Sequence, residues 1–392
     1  MTTLISFLGK GQYDLQSGYR TAKYRFDSSF MREVPFFGMA LDDYLKPERL
    51  ILVGTSGSMW DVFFERESGH AKPDDDGLLQ LIDAVDSDSV DATLLQDHAG
   101  RLSARLGHPV DCVLIDYARD EAGQAALLGQ LAACLSEGEH IAIDVTHSFR
   151  HLPMLALIAA RYLSRVRHVE IEDIYYGAYD MKDPATGEVP VLRLKGMLKM
   201  LDWVDALSSY DKDGDYSVFS RLLAKDGMPE GRARILESAA FQERVNHLEG
   251  ARQKLSASLE AIATHTGPLG SLFRPELEAR VAWVRKAERG ERELALAHAY
   301  LARRDYLRAS IFLLEGLITR EVNRRRGNPG NFEERDEVRK ALGQENQLFK
   351  RLEWLRNALA HGQRSRDDEI AKLLSDESAL RAQLNTFIRE LS

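Results

Sequence analysis

With only two cysteines in 392 residues, Cys112 and Cys134, the chain has no disulfide framework to rely on. No CxxC pair or Cys/His spacing accompanies them, so a structural zinc site is not expected either. This usage points to a reducing compartment, and the cytoplasm is the expected location. No run approaches ~18 consecutive apolar residues, and the opening MTTLISFLGKG carries no signal-peptide pattern, so no membrane partner is expected. The chain also lacks GxGxxG and a Walker A lysine motif. Those absences, with no acidic residue at the ribose position, weigh against a dinucleotide-dependent oxidoreductase with a helical substrate domain. No Asp/Glu/His cluster has metal spacing. The DxDGD core of Ser208–Tyr216 (SSYDKDGDY) fails as a calcium loop, because its glycine is misplaced and Leu222 stands where a bidentate Glu belongs.

Positive charge is outnumbered by negative charge, and unevenly so. The net charge is −9, but residues 251–392 carry 26 Lys and Arg against 21 Asp and Glu, whereas residues 1–250 carry 26 against 40. An acidic total argues against bulk, sequence-independent duplex binding and leaves room for a local basic face in the last third.

What is present falls into two halves. Up to about residue 200, short aliphatic runs alternate with helical spacing. Strands are expected at Leu4–Leu8, Leu50–Val53, Val110–Ile115, Ile141–Val145, Val169–Tyr176 and Val191–Leu194, with helices at Asp91–Leu106, Asp120–Leu135 and Leu152–Val166. Near-continuous apolar strands separated by helices imply βαβ units and an open, Rossmann-like parallel sheet. Tyr19–Phe26 (YRTAKYRF) reads as an extra hairpin and Ser68–Gly77 as a solvated loop. Beyond residue 200 the spacing is helical throughout, at Arg232–Ala263, Arg274–Ala287, Glu291–Arg325 and Asn346–His361, with breaks at HTGPLGS (265–271) and RGNPGN (326–331). The expected organisation is an α/β domain over 1–205, a linker over 206–230 and an all-α domain over 231–392. Within Gly196–Leu207, Met197, Leu198, Leu201, Val204 and Leu207 make an apolar stripe expected to couple the two domains.

Ligands of open parallel sheets bind beyond the strands' carboxyl ends, and three such ends are unusual here. The first strand leads into Gly9-Lys10-Gly11-Gln12-Tyr13, which combines close backbone approach with a positive charge. The second leads into Gly54-Thr55-Ser56-Gly57-Ser58-Met59-Trp60-Asp61, with three hydroxyls and an indole able to stack on a base. The fourth leads into Asp144-Val145-Thr146-His147-Ser148-Phe149-Arg150. Each has a plainer reading: a glycine turn, a core tryptophan, a satisfied histidine, an aspartate capping a turn. Together they suggest a nucleotide or polyanion site.

These three segments, FLGKGQY, GTSGSMWD and IDVTHSFRHLP, resemble the signature of CRISPR-associated Rossmann-fold (CARF) domains, over roughly residues 1–200. The closest likeness is to type III CRISPR ancillary proteins that join CARF to a helical HEPN nuclease. The resemblance implies an antiviral CRISPR role and a homodimer, or a higher homo-oligomer, whose paired CARF domains read a cyclic oligoadenylate across a two-fold axis. The tetra-adenylate ring is favoured as allosteric activator, with no cofactor. The pocket would use Gly9, Lys10, Gly11, Tyr13, Thr55, Ser56, Ser58, Trp60, Thr146, His147 and Arg150. Thr146, His147 and Lys10 are also the candidates if the CARF domain degrades its own activator.

In the helical half, Leu355-Arg356-Asn357-Ala358-Leu359-Ala360-His361-Gly362 resembles the R-x4-H motif of HEPN ribonucleases. It is the chain's one such match. The resemblance implies metal-independent cleavage of single-stranded RNA by 2′-OH attack. His361 would act as general base or acid, since imidazole titrates near neutrality. Arg356 would stabilise the phosphorane, and Asn357 would orient the histidine or a phosphate oxygen. On a regular helix Asn357 and His361 share a face, whereas Arg356 and His361 lie roughly 140° apart. Pairing two helices across a dimer would bring both sets to one cleft. The plainer reading makes Arg356 a surface ion pair and His361-Gly362 a helix end. Arg324–Arg326 reads either as a guide for RNA phosphates or as a solvated helix end. A CARF sensor with a non-catalytic helical dimerisation module is the remaining alternative.

Overall fold

A computed structural model describes residues 2–11, 13–14, 18–64, 76–147, 151–362 and 368–391. The chain divides into two compact units, 1–199 and 200–392.

Among its described residues the first unit has ten strands: β1 (Thr2–Phe7), β2 (Tyr13–Asp14), β3 (Gly18–Tyr19), β4 (Ala22–Arg25), β5 (Met31–Val34), β6 (Arg49–Gly54), β7 (Val110–Leu114), β8 (His140–Asp144), β9 (Glu170–Gly177) and β10 (Glu188–Arg193). Eight of them form one sheet in the order β5-β4-β10-β9-β8-β1-β6-β7. The five strands from β9 to β7 are mutually parallel, and β10 and β5 add antiparallel pairings at the other side. Side chains that alternate along a strand feed two cores. Leu4, Leu50, Leu52 and Ala142 pack on one face, and Ile5, Phe7, Ile51, Val53, Ile141 and Ile143 on the other. Both faces are covered, which is why these strands read as unbroken apolar runs.

Helices α1 (Phe37–Leu45), α2 (Asp76–Asp86) and α3 (Ala92–Leu106) supply the first core, and α4 (Glu121–Ala133) and α5 (His151–Val166) the second. Asp91 and Asp120 cap α3 and α4 by accepting first-turn N–H groups, so these starts were legible to within a residue. Tyr19–Phe26 is not one hairpin. Tyr19 closes the β2–β3 ribbon, while Ala22–Arg25 pairs with β5 and, in parallel, with β10. The expected loop Ser68–Gly77 lies outside the described residues up to 75, and its last residues, Asp76 and Gly77, already belong to α2.

Helix α6 (Lys195–Asp213) follows β10 directly. The second unit continues with α7 (Val218–Lys225), α8 (Glu230–Arg244), α9 (Leu248–Ala263), α10 (Pro268–Arg280), α11 (Arg289–Ala302), α12 (Tyr306–Arg324), α13 (Phe332–Glu345), α14 (Gln347–His361), α15 (Asp368–Ser375) and α16 (Glu377–Leu391). Two helices expected to be continuous are broken. Asn246 (φ 58°) separates α8 from α9, and Arg304 (φ 63°) separates α11 from α12, where Asp305 then caps the new helix. Left-handed asparagine is tolerated locally, but arginine there leaves no signal in the spacing. The span 206–230, expected as a linker, is mostly helical, because Trp203, Ala206 and Tyr210 recur at helical spacing on α6 and, with Phe219 of α7, enter the core. Of the apolar stripe on α6, Leu198 joins a core of the first unit and Leu207 that of the second, whereas Met197 and Val204 are exposed.

Candidate functional site

Strands β8, β1 and β6 are consecutive and parallel, so the three unusual loops leave the same edge of the sheet. Chain order runs outward from β1 to β6 and β7, then returns on the other side as β8 and β9, which makes the β1/β8 boundary the switch point of the sheet. A cavity of about 270 Å³ opens there, with Lys10, Gly11, Thr146 and His147 in its wall.

The Thr146 side of this cavity is held by a hydrogen-bond set anchored on Asp144. This carboxylate is fully buried, accepts the Ser6 hydroxyl at 2.5 Å and accepts the Thr146 N–H at 2.8 Å. Burial pushes its pKa up to about 6, against the lowering effect of those two donors. The Thr146 hydroxyl in turn accepts the Gly177 N–H at 2.8 Å and ties the β8 loop to the end of β9. His147 Nε2 accepts the Phe37 N–H at 3.1 Å, serving as a cap for the first turn of α1. Burial holds its pKa down to about 4, so near neutrality the ring is uncharged with its proton on Nδ1. His147 therefore offers a pocket one N–H donor, not a cation.

The second loop is organised by its own side chains. Trp60, expected as a stacking platform, is fully buried and donates its indole N–H to the Thr55 carbonyl at 2.8 Å. It is a core residue, because the short 3₁₀ turn Trp60–Phe63 points its ring beneath the loop, not out of it. Thr55 and Ser58 are also buried: the Ser58 hydroxyl accepts the Thr55 N–H at 2.9 Å and donates to the Leu8 carbonyl at 3.1 Å. Gly9 is buried too and accepts the Met59 N–H. These four residues shape the loop. Ser56 is turned towards Asp88, donating to it at 2.6 Å. Bonds from Ser56 and Tyr117 hold the Asp88 carboxyl below the usual range.

Gly11 has a steric reason. A β-carbon there would stand 2.5 Å from the Tyr19 ring and 2.8 Å from Met59 sulfur. Lys10 is exposed at the rim. Tyr13 lies in β2. Arg150 lies outside the described residues. The residue reading missed Arg20, Tyr176 and Tyr179, which line the same cavity. The Arg20 guanidinium stacks 4.8 Å over the Tyr179 ring and donates to its hydroxyl. Tyr176 sits at the end of β9, the next parallel strand, so strand order was the signal that would have found it.

In the second unit, Asn346 caps α14 by accepting the Leu348 and Phe349 N–H groups, and Gly362 closes it in the left-handed region at φ 59°. Phe349, Leu352 and Leu355 bury one face. Arg356 and Asn357 are half-buried and His361 is exposed on the last turn. The helix is regular, so Arg356 stands away from the Asn357/His361 face as the spacing requires. Among the described residues Arg356 has no ion-pair partner, whereas its neighbours Arg351 and Arg339 are paired with Glu369 and Asp336. Arg324 and Arg325 both clasp Glu321, whose pKa falls to about 2, so one of the three charges of that basic run is already neutralised. Among the described residues no group of three or more His, Cys, Asp or Glu side chains has the geometry to hold a metal. No helix among them is long and apolar enough to cross a membrane.

Residues 3–180 match the family model of the CARF domain of CRISPR system endoribonuclease Csx1. CRISPR-associated protein MJ1674 of Methanocaldococcus jannaschii is 24% identical over 302 residues, covering 71% of this chain and 47% of that protein. The chain thus spans about half the length of this curated relative. The matched segment begins in β1, ends just past β9, and so contains the switch-point cavity and all three loops. Over residues 3–180, which hold the mixed sheet, the chain is thus similar to the CARF domain of a CRISPR-associated protein, and an all-helical region follows that segment.

Proposed function

We propose that this chain is an endoribonuclease activated by a cyclic oligoadenylate, with the activator bound at the β1/β8 switch point and RNA cleaved at the end of α14. The observation that carries the reading is the convergence of Lys10, Gly11, Thr146 and His147 on one cavity of a CARF domain, in a chain that also presents Asn357 and His361 on one exposed helix end. Lys10 and Arg20 supply the positive charge that a phosphate ring needs, and neutral His147 supplies an N–H donor.

Homodimerisation has its own support. On α5, which follows the β8 loop, Met154, Ile158, Tyr162 and Val166 recur every four residues and are exposed, opposite the buried Leu152, Ala156, Ala159 and Leu163. An apolar ridge of this kind suits a second copy of the same helix, and an isologous contact beside the switch point would set two half-sites around one symmetric ring. Cleavage would proceed by 2′-OH attack with His361 moving the proton, Asn357 orienting it and Arg356 meeting the phosphorane charge. Two copies of α14 would supply the arginine and the histidine that one regular helix keeps apart.

The decisive experiment mixes purified protein with a fluorogenic single-stranded RNA, cyclic tetra- or hexa-adenylate, and EDTA. Activator-dependent cleavage that survives EDTA and vanishes in His361→Ala is the expected result. Activator binding without any cleavage would identify a sensor with a non-catalytic helical domain, and strict Mg²⁺ dependence would overturn the chemistry.

A further inference from the structure

We propose that Trp354 and Lys350 form a stacking subsite for a nucleobase of the single-stranded RNA beside the cleaved phosphate. The inference rests on the nuclease reading above and deepens it. Of the four tryptophans, Trp60, Trp203 and Trp283 are at most 7% exposed, whereas Trp354 is 42% exposed. The reason lies in helix geometry. Phe349, Leu352 and Leu355 point α14 into the core, and residues 350, 354, 357 and 361 follow spacings of four, three and four on the opposite side. At ~100° per residue these four positions fall within about 60° of one another. One face therefore carries Lys350, Trp354, Asn357 and His361 in a row.

The Lys350 ammonium stands 5.1 Å from the Trp354 ring centroid. An indole with a cation at its side matches what a single-stranded polynucleotide offers, an apolar π-face attached to an anionic backbone. At ~1.5 Å rise per residue Trp354 lies about 4.5 Å along the axis from Asn357 and about 10.5 Å from His361. That is the reach of a neighbouring nucleotide, not of the reacting phosphate itself. Because every base has a π-face, such a subsite holds the strand without selecting its sequence. Lys350 acts as a point charge for a backbone phosphate and Trp354 as the platform, so the subsite contributes binding and not chemistry.

The test uses the full-length protein activated with cyclic tetra-adenylate and a fluorogenic single-stranded RNA. Trp354→Ala should raise KM roughly tenfold and leave kcat within about twofold, while Trp354→Phe keeps KM near wild type. In the His361→Ala background, uncleaved RNA should quench the fluorescence of the exposed tryptophan, and adding Trp354→Phe should abolish the quenching. An unchanged KM in Trp354→Ala, with His361→Ala inactive, would overturn the subsite alone. A fall in oligomeric state by light scattering in Trp354→Ala would assign the indole to a contact between copies, and overturn it too. A fully active His361→Ala would instead sink the nuclease reading and this inference with it.

Discussion

The Ser6 hydroxyl and the Asp144 carboxylate meet at 2.5 Å across two adjacent parallel strands, both wholly buried. Because the Asp144 pKa is raised to about 6 from 3.8, folding favours its protonated form. Its contribution to stability is present below about pH 4 and is lost as pH rises through 6. His147 runs the other way: its pKa is lowered to about 4 from 6.5, so its contribution is present above pH 6.5 and lost as pH falls towards 4. Ser6→Ala removes a donor that favours ionised Asp144. The expected loss is about 2 kcal/mol at pH 8 and smaller at pH 5, read by urea unfolding at both values. Equal losses would show that Asp144 is not the titrating partner.

The Phe37–His147 bond makes a spectroscopic prediction. Nitrogen-resolved NMR should find His147 neutral, with its proton on Nδ1, down to about pH 5. A ring that titrates near 6.5 would remove the argument that it donates to the activator as a neutral group.

Trp60 and Lys10 should separate stability from recognition. Trp60→Ala empties a fully buried site and is expected to cost about 3–5 kcal/mol in unfolding. Lys10→Ala, at an exposed position, should leave the melting temperature unchanged and weaken cyclic tetra-adenylate binding by roughly ten- to a hundredfold, as calorimetry would measure. Arg20→Ala should behave like Lys10→Ala. Wild-type affinity in the Lys10/Arg20 double variant would rule out the pocket.

Two glycines allow cleaner tests than any polar residue. Gly11→Ala drives a β-carbon into the Tyr19 ring and should lower activator affinity about tenfold without touching a polar group. Gly362→Ala places a side chain at φ 59° directly after His361. It should cost about 1 kcal/mol in stability and reduce RNA turnover while activator binding stays normal. A melting temperature equal to wild type in Gly362→Ala would argue against this helix end.

The fold of the first unit was legible because its strands are buried on both faces and its helices start at aspartates that cap them. Asp91 and Asp120 mark α3 and α4, and the aliphatic runs around Leu50 and Ile141 have no polar interruption. What was not legible depends on distance in space. Trp60 is indistinguishable from a stacking residue until the turn that buries it is known. Tyr176, Tyr179 and Arg20 reach the cavity only through strand order, which a local pattern does not carry. The break at Arg304 is silent for a similar reason: its left-handed backbone is held by the packing of α11 on α12, not by its own preference. At α14 the spacing alone placed Asn357 and His361 together and Arg356 apart, since i and i+4 geometry needs no tertiary information.

Trp60 has a consequence for how the proposed activator would be bound. Its indole, with the Ser58 hydroxyl, ties the loop 54–58 to itself and to the end of β1 through three hydrogen bonds. A ligand entering beside it has little backbone freedom left to remove, so the ordering entropy that opposes most loop-mediated recognition is largely absent. The free energy of each phosphate contact is then available for affinity, or for shifting the population of two global states, and none is consumed in folding the site around its occupant.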